Sequence, residues 1–272
     1  MNKECCIVHA NCQGEPLAAA LGLHPEFAAR YEVEVHLNYT RQRVPAERLA
    51  ACSLFLYQHL GPEWGELASE RLTAALPPSA RTLAVPNMFC LAYWPLWSGA
   101  PGFDFRDVLL DDLLERGLSK AEILFLYLKG DLIANYAPDA RVETSLAHER
   151  RKEAHTPVKY VDYMLAHLRE EQLFNTVNHP GPRLLRHAAR GVLRELGLEP
   201  PDFGPDDIPG LHPEFRLPIH PRVATRLGLD FAGKGATYPV YGREKTFAQY
   251  AENYVDCRLL GVDDFLGYLQ LR

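Results

Sequence analysis

The stretch Cys5-Cys6-Ile7-Val8-His9-Ala10-Asn11-Cys12-Gln13-Gly14-Glu15-Pro16 decides the reading of this chain. A short apolar run predicts a buried strand, and a polar Asn-Cys-Gln-Gly turn follows it. The turn opens into Leu17-Ala18-Ala19-Ala20-Leu21, residues that favour a helix. Glu15 and Pro16 suit a first helical turn, where the N–H that Pro lacks would be unpaired anyway. The unit is strand, turn and helix, with a thiol at the helix mouth. Free N–H groups and the positive dipole end of a helix stabilise a thiolate, so Cys12 is expected to have a lowered pKa. The same groups could hold an oxyanion. Gly14 is expected to let the backbone bend and a ligand come close. A lone cysteine is ordinarily a small buried residue, but Asn11, Gln13 and Gly14 are poor core neighbours.

Outward from this unit, strand and helix alternate. Tyr31 to Leu37 alternates as a half-exposed or edge strand, Pro45 to Ala51 forms a short helix, and Ser53 to Tyr57 forms a buried strand. A helix from Trp64 to Leu76 stops at Pro77-Pro78, and Thr82 to Val85 gives a fourth strand. This order predicts an α/β fold with a doubly wound, mainly parallel sheet of SGNH or flavodoxin type. The middle of the chain turns helical over Phe105–Arg116, Lys120–Lys129, Ala140–Ala154 and Val158–Leu173, a helical insertion at about 104–173. Phe174 to Val177 is expected to be a fifth strand, and Pro182 opens a helix from Arg183 to Leu196. Glu199 to Pro221 is crowded with Pro and Gly and shows no period. Helices are expected from Glu244 to Arg258 and from Asp263. The domain reading is a catalytic domain over 1–198, with residues 199–272 as a Pro-rich segment and C-terminal helices packed on it.

The 272 residues suffice for a sizeable core. A net charge of −6 argues against a nucleic-acid partner. No apolar run reaches the length of a membrane span, and Lys3 and Glu4 stand where a secretory signal would be apolar. Six cysteines in a chain of this length fit a reducing compartment, so a cytoplasmic location is expected. Cys5, Cys6, His9 and Cys12 raise the question of zinc. Strand alternation sends Cys5 and Cys6 to opposite faces, and no C-x-x-C or H-E-x-x-H spacing occurs, so no metal is expected. Neither a G-x-x-x-x-G-K-[ST] loop nor a G-x-G-x-x-G fingerprint is present, which removes the usual support for nucleoside triphosphate or nicotinamide chemistry.

Open parallel sheets bind ligands beyond the carboxyl ends of their strands. Strand one ends in His9, Asn11, Cys12 and Gln13, strand two in His36, Asn38 and Arg41, and strand three in Gln58 and His59. Strand four ends in Asn87 and the fifth in Asn178 and His179. Singly, each could be a turn or capping residue. Together they mark one rim. Cys12 and His179 form a candidate nucleophile–base pair, with Asn175 or Asn178 orienting the imidazole. Asn11, Gln13 and the backbone of Gly14 are oxyanion candidates, and Gln58, His59, Asn87 and Asn178 are substrate contacts. The run Arg150-Arg151-Lys152, with Lys159 and Arg183, could meet phosphates, although a basic run on a helix is ordinarily a solvated face.

The Asn11-Cys12-Gln13 turn, together with Phe174-Asn175-Thr176-Val177-Asn178-His179-Pro180, resembles the WcbI family of polysaccharide biosynthesis enzymes over about residues 4–197. That resemblance implies capsular polysaccharide O-acetylation and coenzyme A binding, with Cys12 and His179 at the matching positions. The expected function is transfer of acetyl from acetyl-CoA to a sugar hydroxyl, with CoA as co-substrate held by His36, Arg41, Lys159 and Arg183. A nucleophile in the turn after the first strand is also similar to the SGNH hydrolases, with Cys12 in place of serine. Their Asp-x-x-His pair is not evident, so a thiol esterase is the first alternative. A non-catalytic nucleotide- or glycan-binding protein is the second.

Overall fold

The computed structural model describes residues 3–204, 206–233 and 235–272. The chain forms two compact units. Unit 1 comprises residues 1–89, 148–167 and 178–211, and unit 2 comprises residues 90–147, 168–177 and 212–272.

Unit 1 is built on four parallel strands: β1 (Glu4–Ala10), β2 (Tyr31–Leu37), β3 (Cys52–Tyr57) and β4 (Arg81–Ala84). Their order is β2-β1-β3-β4, so β2 is an edge strand, as its alternation predicts. The register aligns Val8 with Val35 and Leu56, and Ile7 with Glu34 and Phe55. One face carries α1 (Gly14–Gly22), which settles so closely that a Cβ on Gly14 would lie 2.9 Å from Ala10 Cβ. The helix α9 (Pro182–Leu196) packs beside α1 through Leu184, Leu185, Ala188 and Val192. On the other face, Ile7 and Phe55 meet Leu49 of α3 (Ala46–Ala50) and Leu72 of α4 (Ser69–Ala74). Helices therefore cover both faces of a parallel sheet, the doubly wound arrangement. The short helix α2 (Pro25–Arg30) is capped by the His24 ring, whose Nδ1 accepts from Phe27 N.

Three local expectations need correction. The expected helix Trp64–Leu76 is broken, because Gly65 takes φ 60° between a short 3-10 turn at 62–67 and α4. The segment Phe174–Thr176 (β5) is extended but does not join the four-stranded sheet. A three-residue strand preceding a Pro-rich turn gives no period long enough to reveal its pairing partner. The expected helix Val158–Leu173 shrinks to α8, defined after α5 (Val108–Glu115), α6 (Lys120–Lys129) and α7 (Pro138–Glu153), with bounds Val161–His167. A second short extended pair, β6 (His179–Pro180), follows in unit 1.

Unit 2 contains α5, α6, α10 (Pro221–Leu227), α11 (Phe247–Leu259) and α12 (Phe265–Leu271), with an antiparallel hairpin of β7 (Thr237–Val240) and β8 (Arg243–Thr246). Capping fixes the helix starts: Ser119 with Glu122, and Thr246 with Gln249, form reciprocal capping boxes. The hairpin takes the residues from which the expected helix at Glu244 would begin, so α11 starts three residues later. Its interior is aromatic, with Phe103 stacked on Phe265 at 5.0 Å and edge-on to Tyr254 at 4.8 Å. Asp107 is half-buried there as the cap of α5: its carboxylate accepts from Leu109 N, Leu110 N and the Tyr127 hydroxyl at 2.7 Å. Burial pushes the Asp107 carboxyl up to about 6.

Candidate functional site

The order β2-β1-β3-β4 reverses direction between β1 and β3, and doubly wound sheets bind ligands at that switch, beyond the carboxyl ends of the strands. Residues Asn11–Gly14 leave β1 there and Gln58-His59 leave β3. The two turns are stitched by side-chain amides. Asn11 N donates to Gln58 Oε1 at 2.8 Å, and Gln58 Nε2 donates to Pro86 O at 3.0 Å and to Asn11 Oδ1 at 3.2 Å. Asn11 Nδ2 in turn donates to Asn87 Oδ1 at 3.3 Å. The ends of β1, β3 and β4 are thus joined in one amide network.

Gln13 does more. Its Nε2 donates to Met88 O at 2.8 Å and to Asn178 O at 2.9 Å, while its Oε1 accepts from Met88 N at 3.0 Å. The residue after Cys12 is therefore fastened to the residue before His179. This places the segments that carry the two candidate catalytic groups side by side, although they are far apart in sequence.

The geometry redistributes the roles expected from sequence. Both Nε2 hydrogens of the buried Gln13 go to main-chain carbonyls, and Gly14 N donates to Asn11 O at 2.9 Å, so neither is available to an oxyanion. Gly14 is buried against Ala10, Val8 and Val35, so its missing side chain admits the helix rather than a ligand. Gln58 is likewise buried and fully engaged. Asn11 and Asn87, both half-buried, retain donor capacity at the rim. The thiol also departs from expectation. The amides of Cys12 and Gln13 favour its thiolate, but burial outweighs them and, with the Glu15 carboxylate, pushes the Cys12 thiol up.

The four residues expected to hold the cofactor are dispersed. His36 lies within β2, in register with His9 and 3.6 Å from Glu34. Lys159 Nζ donates to Glu153 O, and Arg183 contacts Tyr163 Oη at 3.3 Å and His167 Nδ1 at 2.6 Å. Arg41 sets its guanidinium 3.6 Å from the centre of the Trp64 ring.

Trp64 is one wall of a cavity of about 400 Å³ beyond β3 and β4. Its floor includes Ala84, Val85 and Asn87, and another wall carries His148, Arg151, Lys152 and His155. The spacing i, i+3, i+4, i+7 sets these four on one helical face at the end of α7 and the turn after it. Arg150 and Arg151 are exposed, as a basic run on a helix ordinarily is, and the spacing is the signal in the sequence that sets the four residues together. Thr156 anchors the turn, its hydroxyl donating to Ala84 O at 2.8 Å. The exposed His59 ring stacks on His155 with centroids 3.7 Å apart and 9° between planes. Lys152 Nζ donates to Asn87 O at 2.9 Å and pairs with the buried Glu149 carboxylate at 2.6 Å, which also accepts from the Tyr160 hydroxyl. Among the described residues, no three His, Cys, Asp or Glu side chains converge to hold a metal ion, and no helix is long and apolar enough to cross a membrane.

Comparison with known proteins completes the description. The family model of the polysaccharide biosynthesis enzyme WcbI matches residues 5–201. The chain belongs to the WcbI family. A solved structure of WcbI, described as a novel polysaccharide biosynthesis enzyme in its native form without a disulfide bond between CoA and one of its cysteines, superposes with a TM-score of 0.71 at 20% identity. The match covers 100% of this chain and 91% of that one, so the two share their fold throughout. No curated protein matches the chain.

Proposed function

We propose that this member of the WcbI family is a CoA-dependent O-acyltransferase that moves acetyl from acetyl-CoA to a sugar hydroxyl in polysaccharide biosynthesis. Three things support the reading: the family membership, the mention of CoA for the WcbI structure of the same fold, and the construction of the rim. One observation carries it. Gln13 fastens the Cys12 turn at the sheet's switch point to the segment that begins Asn178-His179.

Cys12 is the group on the thioester side and His179 the general base. A thiol that burial holds protonated needs a base before it can attack, which is the step given to His179. On the thiol route, Cys12 Sγ bonds to the acetyl carbon, the C–S bond to CoA breaks, and the CoA thiolate takes up a proton. A sugar hydroxyl then displaces Cys12, its proton passing to His179. On the direct route, His179 takes the hydroxyl proton as the sugar oxygen attacks the acetyl carbon of acetyl-CoA itself, the C–S bond to CoA breaks, and the departing CoA thiolate takes that proton. In both, Asn11 and Asn87 are the rim amides that face the developing oxyanion.

The test is release of free CoA thiol from acetyl-CoA with and without a sugar acceptor. Release that accelerates with acceptor supports transfer; fast release indifferent to acceptor replaces it with thioester hydrolysis. Saturating CoA should also stabilise the fold by about 2.7 kcal/mol at a hundredfold excess over Kd. A melting temperature unmoved by millimolar CoA would sink the CoA reading. Cys12→Ser separates the routes, because it ends turnover on the thiol route and leaves most of it on the direct one.

A further inference from the structure

The cavity beyond β3 and β4 has a composition that the rim chemistry does not use. Two cations, Arg151 and Lys152, and three imidazoles, His59, His148 and His155, line about 400 Å³ together with Trp64. Against them stands one lining carboxylate, Glu63, with Glu70 acting on His59 from α4. Lys152 has its counter-charge in Glu149 at its back. Arg151 has no carboxylate partner among the described residues, although it is exposed and free to take one.

The stacked pair is the second observation. His59 and His155 lie face to face at 3.7 Å, a contact that two neutral imidazoles tolerate and two imidazolium ions do not unless an anion sits beside them. An anion of charge near −2 in this cavity would meet a permanently charged guanidinium and the polar edges of three imidazole rings. A phosphomonoester has that charge at neutral pH, and its oxygens match the fork of an arginine. The indole of Trp64, one face of which carries the Arg41 guanidinium, lines the same cavity.

We propose that this cavity is a phosphomonoester-binding site, in which Arg151 and Lys152 hold the phosphate oxygens and His59, His148 and His155 present ring N–H donors to it. The phosphate has two chemical sources: the 3′-phosphate of CoA, an arm that rests on the CoA reading above, or a sugar phosphate on the acceptor side. Arg151 acts here in binding, separate from the Cys12–His179 pair.

The experiment is titration calorimetry on the full chain with CoA, dephospho-CoA, a hexose 1-phosphate and inorganic phosphate, for wild type and for Arg151→Ala and His155→Ala. Both substituted side chains are exposed, and melting curves check that the variants remain folded. A charge-assisted hydrogen bond lost on substitution corresponds to roughly ten- to hundredfold weaker binding. If the phosphate is that of CoA, wild type binds dephospho-CoA weaker than CoA by about that factor, Arg151→Ala weakens CoA alike, and dephospho-CoA binding is unchanged by the substitution. If it belongs to a sugar phosphate, the hexose phosphate shows the same dependence on Arg151 while CoA and dephospho-CoA bind equally. Equal CoA and dephospho-CoA affinity, no hexose phosphate binding and no effect of Arg151→Ala would overturn the proposal and leave the CoA reading standing. Arg151-dependent hexose phosphate binding without any CoA binding would do the reverse.

Discussion

The polar interiors of the two units are built from different chemistry. In unit 1 the buried polar groups at the strand ends are neutral amides, Gln13 and Gln58, which bridge backbone to backbone. In unit 2 they are ionisable: Asp107 caps α5 and takes the Tyr127 hydroxyl, and Tyr254 donates to Asp111 at 2.9 Å while Arg106 pairs with Asp111 at 2.7 Å. Amides satisfy main-chain groups on both sides of a crevice without placing a charge in it. A carboxylate can cap a helix more strongly, but burial raises its pKa and links the stability of that unit to pH. The amide network at the strand ends of unit 1 carries no titratable group, whereas the polar groups of unit 2 are tuned by protons.

The largest expected effect tests the amide side. Gln13→Leu keeps the volume but strands Met88 O, Met88 N and Asn178 O, which should cost about 4 kcal/mol of unfolding free energy in urea titrations. A loss below about 1 kcal/mol would mean that the amides do not hold the rim, and the comparison would break.

A histidine in unit 1 supplies the exception that sharpens it. His9 is buried in β1, its Nε2 without a hydrogen-bond partner among the described residues, and burial pushes its imidazole down to about 4 from 6.5. Between those values the unfolded chain binds a proton that the folded chain refuses, so stability falls as pH drops from 6.5 to 4, by about 3 kcal/mol at most. His9→Leu should remove this loss, so that its stability relative to wild type rises on acidification. His220 in unit 2 is also pushed down to about 4, but its Nε2 meets Tyr127 O at 3.2 Å, so the same acid loss persists there in the His9 variant.

Asp107 should act in the opposite sense. Its folded pKa of about 6 lies above the ordinary 3.8, so its contribution is fully present below 3.8 and is lost as pH rises through 6. Asp107→Asn should therefore gain on wild type by about 2 kcal/mol between pH 4 and pH 7, read from melting curves at each pH. A flat difference would show that the carboxyl titrates normally. The smallest effect concerns packing: Gly14→Ala places a Cβ 2.9 Å from Ala10 Cβ, and the clash outweighs the better helix propensity by about 1 kcal/mol.

How much of this was legible beforehand depends on the range of the interaction concerned. The strand Tyr31–Leu37 and the helix Lys120–Lys129 appear where their period sets them, because a period of 2 or 3.6 is written into neighbouring residues. The helix expected from Trp64 failed at Gly65, whose positive φ belongs to a turn that periodicity does not register. At the site, the residues at the ends of β1, β3 and β4 were legible as a rim because strand ends are legible. Which of them face a ligand was not. Gln13 and Gly14 read as oxyanion donors until the fold showed their N–H groups bound to carbonyls, and Cys12 read as acidified until burial was counted against the helix mouth.

The sequence by itself determined the parallel α/β order of the first ninety residues, the thiol at the mouth of α1 and the helical spacing of His148, Arg151, Lys152 and His155. Each is set by local geometry, where one residue's backbone constrains the next few. Tertiary structure alone decided that the Asn178 carbonyl meets Gln13, that His155 stacks on His59, and that Phe174–Thr176 stays outside the sheet. Those contacts join residues far apart along the chain. Their selection rests on the sum of burial and hydrogen bonding over the folded unit, which no short window of sequence contains.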